Sequence, residues 1–293
     1  MAHTQFDTIA VIGLGLIGSS VIRACESYGL AGTVMAYDAD PDTRATAARI
    51  NLGQVVETPA EAVADADLVI LAIPVGAMGV AAAEIAPSIK SGAILTDTGS
   101  TKKSVIEDIL PHLKDDTIFI PSHPIAGTEY SGPEAGFATL FKDRYWIILP
   151  RDASSDDVAR LRQFYEKMGA LVDEMDVDYH DRVLAVTSHL PHLIAYTIVG
   201  TAFDVEQQLQ NDVFKYSASG FRDFTRIASS DPVMWRDVFI NNADAVLEML
   251  GRFNEDLSYL QRAIRWKEGE KLQDLFTKTR DIRAKIKDYG QLD

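Results

Sequence analysis

The stretch TIAVIGLGLIGSS, residues 8–20, decides how the rest of the chain is read. TIAVI (8–12) is a short apolar run rich in β-branched residues, and a helical pattern begins at Ser19, so strand, turn and helix are expected in succession. Gly13-Leu14-Gly15-Leu16-Ile17-Gly18 forms the turn. In a G-x-G-x-x-G of this kind the first glycine permits the tight turn and the second lets a pyrophosphate approach the backbone. The third lets the helix pack closely on the strand. Free N–H groups and the positive end of the helix dipole then favour phosphate. Asp38 stands 20 residues beyond Gly18, at the end of a second run, TVMAYD (33–38). A carboxylate there accepts hydrogen bonds from an adenosine ribose and repels a 2′-phosphate. With Arg44 the only basic residue nearby, the expected cofactor is NAD, with NADP less favoured.

Working outward, short apolar runs keep alternating with helical patterns: DLVILAIP (67–74), AILTDTG (93–99), TIFIPSHP (117–124) and YWIILP (145–150). LVDEM (171–175) reads as one further strand. The intervening stretches 19–29, 100–113 and 154–169 read as helices. Such alternation predicts an α/β fold, a doubly wound parallel sheet of Rossmann type covered on both faces. After about residue 178 no comparable strand run recurs and long helical stretches follow, including 230–253 with Asp231 as N-cap and Pro232 in the first turn. A charged amphipathic stretch, 254–288, closes the chain. We therefore expect a dinucleotide-binding domain over 1–177 and an all-helical domain over 178–293.

The chain has 293 residues, 47% of them apolar and 24% charged, a globular composition. Twenty-eight Lys+Arg against 43 Asp+Glu give a net charge of −15, and no basic block interrupts the excess. Nucleic acid and anionic membrane surfaces are therefore unexpected partners. The single cysteine, Cys25, favours a reducing compartment, and MAHTQFDTIAV lacks the pattern of a signal peptide, so a cytoplasmic protein is expected. Val183 to Phe203 contains no Asp, Glu, Lys or Arg, a length able to span a bilayer. Ser188, His189, Pro191, His192 and three threonines are costly in hydrocarbon, which predicts a helix buried within protein instead.

Two groups of histidines stand out. His123, in Ser122-His123-Pro124-Ile125-Ala126-Gly127, is placed at the carboxyl end of a predicted parallel strand, the edge where doubly wound sheets bind ligands. It titrates near neutrality and can take a proton from an alcohol as hydride leaves the same carbon; equally, it can be a structural histidine in a turn. Ser100 can fix the tautomer of that imidazole or simply cap a helix. His189 and His192, in Ser188-His189-Leu190-Pro191-His192, share a helix face. No Cys or His cluster supplies further ligands, so no metal is expected. Arg222 and Arg226, interleaved with Phe221 and Phe224, are candidate anion ligands or solvated surface charges.

These motifs resemble the prephenate/arogenate (cyclohexadienyl) dehydrogenases of tyrosine biosynthesis. The resemblance runs through GLGLIGSS (13–20), DTGSTK (97–102), SHPIAGTEYSG (122–132), HD (180–181), TSHLPHLIA (187–195), GFRDFTRIA (220–228) and SDPVMWRD (230–237). It implies an oxidative decarboxylation: hydride passes to NAD from the ring carbon bearing the hydroxyl, CO2 leaves, and the ring becomes aromatic. It implies that His123 accepts the hydroxyl proton, that Ser100 orients His123, and that Arg226 and His192 bind substrate. Thr128, Ser188 and Trp235 fall around the site. It also implies a homodimer formed through the helical domain, with the uncharged 183–203 helix in its core.

One departure concerns specificity. Ser217-Ala218-Ser219-Gly220 stands where some relatives have a glycine run, leaving open the preference between prephenate and arogenate. Two other functions use the same cofactor motif. A β-hydroxyacid dehydrogenase would need a lysine early in the second domain, and none lies between Lys167 and Lys215. A non-catalytic NAD-sensing regulator would have no use for His123 or Arg226. The net charge also works against an anionic substrate, so attraction must be local, from Arg226, His192 and the helix following Gly18.

Overall fold

The computed structural model describes residues 4–128, 130–210 and 212–286. Six strands form a parallel sheet: β1 (Phe6–Ile12), β2 (Ala31–Tyr37), β3 (Gln54–Val55), β4 (Leu68–Leu71), β5 (Ile94–Asp97) and β6 (Ile118–Phe119). Their order is β3-β2-β1-β4-β5-β6, that of a dinucleotide-binding sheet, with β1 beside the point where the order reverses. Helices α1 (Leu16–Tyr28), α2 (Pro41–Arg49), α3 (Pro59–Val63), α4 (Met78–Ile85) and α5 (Lys103–Ile109) connect them. Successive strand residues face opposite sides, so both faces must be apolar. Ile9, Val11, Leu68 and Ile70 join a core with Val21 and Ile22 of α1. Ala10, Ile12, Val69 and Leu71 join the opposite core with Met78 and Ile85 of α4.

The predicted strand 117–124 is broken in the structure. Ile120 still donates to Leu95 O of the parallel sheet, but Pro121 has no N–H to continue the ladder. The chain then enters a second sheet of three strands, β7 (Ser122–Pro124), β8 (Tyr145–Ile148) and β9 (Leu171–Glu174), ordered β7-β8-β9. β7 runs antiparallel to β8, whereas β9 is parallel to it across α6 (Ser155–Lys167), whose N-cap Ser154 accepts from Asp157 N. His123 therefore sits on an edge strand of this small sheet. Trp146 of β8 stacks on Tyr165 of α6 at 3.8 Å between centroids, and Trp146 Nε1 donates to Ser122 Oγ at 3.0 Å. Those contacts anchor β7 to β8 and α6.

From Val177 a helix runs 33 residues to Leu209 as α7 (Val177–Leu184), a π-helical turn (Ala185–His189) and α8 (Leu190–Leu209). Pro191 cannot donate an N–H, so the ladder must loosen just before it, and a single wide turn is the usual result. Within the single chain this helix is largely uncovered. Only 28% of its most apolar window is buried, and Val186, Ile198, Phe203 and Leu209 are exposed. By length and composition alone it could cross a membrane. Helix α9 (Ser219–Thr225) follows, then α10 (Pro232–Asn241), which Asp231 caps by accepting from Val233 N and Met234 N. The helix expected over 230–253 is interrupted at Asn242, whose backbone leaves helical geometry at φ −121°, ψ 33°.

The described residues divide into two compact units between Ala243 and Asp244. The second unit holds α11 (Ala243–Arg265) from its second residue on, and α12 (Gly269–Ile286). Leu257, Ile264, Trp266, Phe276 and Ile282 are exposed on it.

Candidate active site

Gly13 lies at φ +99°, where L side chains are strained, and a Cβ there would stand 2.4 Å from Ala72 O of the neighbouring strand connection. A Cβ on Gly18 would fall 1.9 Å from Gly13 O, so the turn and helix α1 approach as closely as backbones can. At Gly15, the N-cap of α1, nothing stands within 4 Å of an added Cβ. That open space above uncapped helical N–H groups fits a pyrophosphate. Leu14, Leu16 and Ile17 supply the turn's remaining backbone. Asp38 closes it: Oδ2 accepts from Leu14 N at 2.8 Å and Oδ1 from Asp40 N at 2.9 Å. Arg44 is already engaged with Asp38 O, Ala39 O and the Glu57 carboxylate.

Beyond the carboxyl ends of β5 and β6, His123 joins a network of buried polar side chains. Its Nδ1 lies 3.0 Å from His180 Nε2, and His180 Nδ1 lies 2.8 Å from Asp181 Oδ1. Asp181 also accepts from Lys102 N at 2.8 Å and Lys103 N at 2.9 Å. The Lys102 ammonium, wholly buried, forms an ion pair with Asp97 at the end of β5 and donates to Ser122 O at 2.7 Å. Asn242 donates from Nδ2 both to Asp181 O at 2.9 Å and to His189 Nδ1 at 3.1 Å. The break between α10 and α11 thus places a side chain that joins the two histidine groups.

Burial dominates the proton affinities here. It holds His123 well below the ordinary histidine value, and a proton there would also be opposed by one on His180 and by the Lys102 ammonium. Burial likewise lowers His180, against the opposing pull of Asp181. His189 is pushed down to about 4 by burial. For Asp181 burial raises the pKa, but the bonds from His180, Lys103 and Lys102 outweigh it and hold the carboxyl low. Burial lowers the Lys102 ammonium, and Asp97 opposes that shift. The cluster is a pair of neutral imidazoles leaning on a carboxylate, an arrangement suited to taking up a proton.

His192, on the next turn of α8, stacks on Trp235 at 3.7 Å between centroids and donates from Nδ1 to Ser188 O at 2.8 Å. A carbonyl only accepts, so Nδ1 carries the proton and Nε2 is left as an acceptor. Burial lowers its pKa, and the Arg226 charge lowers it further, which places that guanidinium nearby. Arg226 itself is exposed at the end of α9. Trp235 Nε1 and His189 Nε2 are buried without a hydrogen-bond partner among the described residues. Thr128 lies exposed beyond β7 and accepts from Tyr130 N.

Ser188, His192 and Trp235 are therefore brought together, with Arg226 beside them. Ser100 is half-buried, and no hydrogen bond among the described residues joins it to His123. The N-cap position of helix α5 is Lys102, two residues later, which makes no side-chain cap bond. Sequence reasoning by residue type missed His180, Asp181, Lys102 and Asn242 as members of the cluster. HD (180–181) carried a signal only through the resemblance. Nothing in residue pattern marks Lys102 as buried or Asn242 as a helix break.

A sheet in this order, a glycine turn open above α1 and a buried histidine pair define a dinucleotide-dependent oxidoreductase. The chain belongs to the prephenate dehydrogenase family. Residues 21–174 match the family's "Prephenate dehydrogenase, nucleotide-binding domain" and residues 176–278 its "Prephenate dehydrogenase, dimerization domain". It is 43% identical to a cyclohexadienyl dehydrogenase of Zymomonas mobilis over 97% of each chain. Against a prephenate dehydrogenase of Bacillus subtilis the identity is 33%, over 94% of this chain and 75% of that one. Among solved structures it is similar to prephenate dehydrogenase from Aquifex aeolicus in complex with hydroxyphenyl propionate and NAD+. The TM-score there is 0.88 at 29% identity, covering 96% of this chain and 98% of that one.

Proposed function

We propose that this enzyme carries out NAD-dependent oxidative decarboxylation of prephenate, arogenate or both, the step that makes the aromatic ring of tyrosine. The observation that carries the reading is the His123–His180–Asp181 chain of contacts at 3.0 and 2.8 Å, beside the His192–Trp235 stack. Bound NAD supplies the hydride acceptor. The turn Gly13–Gly18 holds its pyrophosphate and Asp38 its adenosine ribose, and NAD is preferred to NADP because Asp38 and Asp40 present two carboxylates. His123 takes the proton of the ring hydroxyl as hydride leaves that carbon. As the bond to the ring carboxylate breaks, its electron pair enters the ring, CO2 departs, and His123 returns the proton to the phenolic oxygen. Ser100 acts at the same centre. Arg226 and His192 hold substrate carboxylate, with Thr128, Ser188 and Trp235 shaping the pocket.

The exposed apolar stretch of the Val177–Leu209 helix and the dimerization-domain match support a homodimer formed through the helical region. We place the enzyme in the cytoplasm and divide its domains at 177/178. Neither rival is favoured by a chain 43% identical to a cyclohexadienyl dehydrogenase. The test mixes purified enzyme with NAD and either substrate. NADH and CO2 should form one to one, and NADH without CO2 would point to the hydroxyacid chemistry.

A further inference from the structure

Hydrogen-bond bookkeeping fixes the protons of this cluster. Asp181 Oδ1 is a carboxylate oxygen and can only accept, so His180 Nδ1, at 2.8 Å, must carry a hydrogen. A neutral imidazole carries one, so His180 Nε2 is a bare acceptor. It lies 3.0 Å from His123 Nδ1, which must therefore be the donor. The remaining nitrogen, His123 Nε2, is left with its lone pair. Charge points the same way. Lys102 and Asp97 cancel as an ion pair, while Asp181, 6% exposed, keeps one negative charge that no side-chain cation of the cluster balances. Protonation of His123 brings the cluster to neutrality.

We propose that His180 is a positioning residue, which locks His123 in the Nδ1–H tautomer and relays the charge of Asp181 to it. The inference rests on the dehydrogenase reading above and assigns the orienting role to His180 and Asp181. At the reacting centre the hydroxyl O–H bond breaks and an Nε2–H bond forms. The charge left on the imidazolium is then shared through His180 with Asp181. Lys102 and Lys103 hold Asp181 by their backbone N–H groups, and Asn242 holds its carbonyl, so the carboxylate cannot swing away.

The experiment compares Asp181→Asn, His180→Gln and His180→Leu with the parent enzyme, using NAD and whichever substrate the parent turns over. Asp181→Asn admits the wrong tautomer and should lower kcat by about 10²–10⁴-fold, with KM for NAD within about threefold. Removing a negative charge lowers the imidazole pKa, so the acid limb of its kcat/KM profile should move to lower pH. Gln at 180 can still accept from Nδ1–H and should retain at least about tenfold more activity than Leu. Nitrogen-15 NMR of His-labelled parent enzyme, assigned with His123→Asn, should show His123 protonated at Nδ1. An Nε2–H tautomer, an unmoved acid limb, or equal rates for the Gln and Leu variants would each overturn the positioning role. Failure of the parent enzyme to release CO2 would instead overturn the functional reading.

Discussion

The turn from Gly13 to Gly18 does its work with backbone, in six consecutive residues, whereas the cluster around His123 is assembled from side chains of β5, β7, α7 and the segments at Lys102 and Asn242. In the first, the backbone geometry requires the absence of a side chain: a Cβ at Gly18 would meet backbone at 1.9 Å. In the second, side chains position one another through hydrogen bonds, and most of them are buried. A backbone site tolerates much around it and nothing within it. A buried polar network fails wherever one partner is lost, because the group left behind has no water to turn to.

The sharpest way to test that difference is His123→Asn. It should remove two to four orders of magnitude from kcat, the range for a lost general base, while leaving the dissociation constant for NAD within about threefold. Calorimetric titration with NAD beside steady-state rates separates the two. A variant retaining near-full rate would mean that the base is elsewhere.

Acid should act on the histidine cluster and spare the glycine turn. His189 has a folded pKa of about 4 against an ordinary 6.5, because burial disfavours its charged form. The unfolded chain thus binds more protons between those values. The stability this residue contributes is complete above pH 6.5 and is lost as pH falls towards 4. The loss is about 3 kcal/mol for that one imidazole, and His123 and His180, also depressed, add to it in the same direction. The thermal midpoint should therefore fall steeply from pH 6.5 to 4, and His189→Gln should flatten the slope. An unchanged slope in that variant would show that His189 is accessible to protons in the native state.

Within the turn, Gly18→Ala and Gly15→Ala should behave oppositely. The Gly18 variant forces backbone apart and should lose about 1–3 kcal/mol or more of stability by urea denaturation. The Gly15 variant places its methyl in open space, so stability should change by less than about 0.5 kcal/mol while NAD binding weakens. Equal destabilisation by both would mean that the turn is packed and not open.

These contrasts explain what could be read from the chain. Most of the parallel sheet was legible because β1, β2, β4, β5 and β6 fall on local apolar runs and because strand, glycine turn, helix and Asp38 lie within 31 residues, 8–38. The two-residue β3 is too short to leave such a run and was not expected. His123 could be named because its tripeptide sits at a strand end, but its sheet could not, since Pro121 redirects the strand by one missing donor. His180, Lys102 and Asn242 stayed hidden, because proximity across 57 to 79 residues of sequence leaves no periodicity. The apolar helix was legible as a surface that avoids water, but composition does not state which molecule covers it, and within one chain most of it is uncovered.

The smallest effect concerns Asp38, which serves both regions' logic at once. Its carboxylate is a side chain acting on backbone: Oδ2 holds Leu14 N and Oδ1 holds Asp40 N. Asp38→Asn removes the charge that repels a 2′-phosphate and keeps one oxygen to accept. The ratio of kcat/KM for NADP over NAD should then rise by about tenfold, or about 1.4 kcal/mol. It should not rise further. Asp40 still presents its charge two residues on, and Arg44 remains tied to two carbonyls and Glu57, so no cation is free to take the phosphate. An increase of a thousandfold would mean that Arg44 abandons those partners, and that Asp38 had been holding it back.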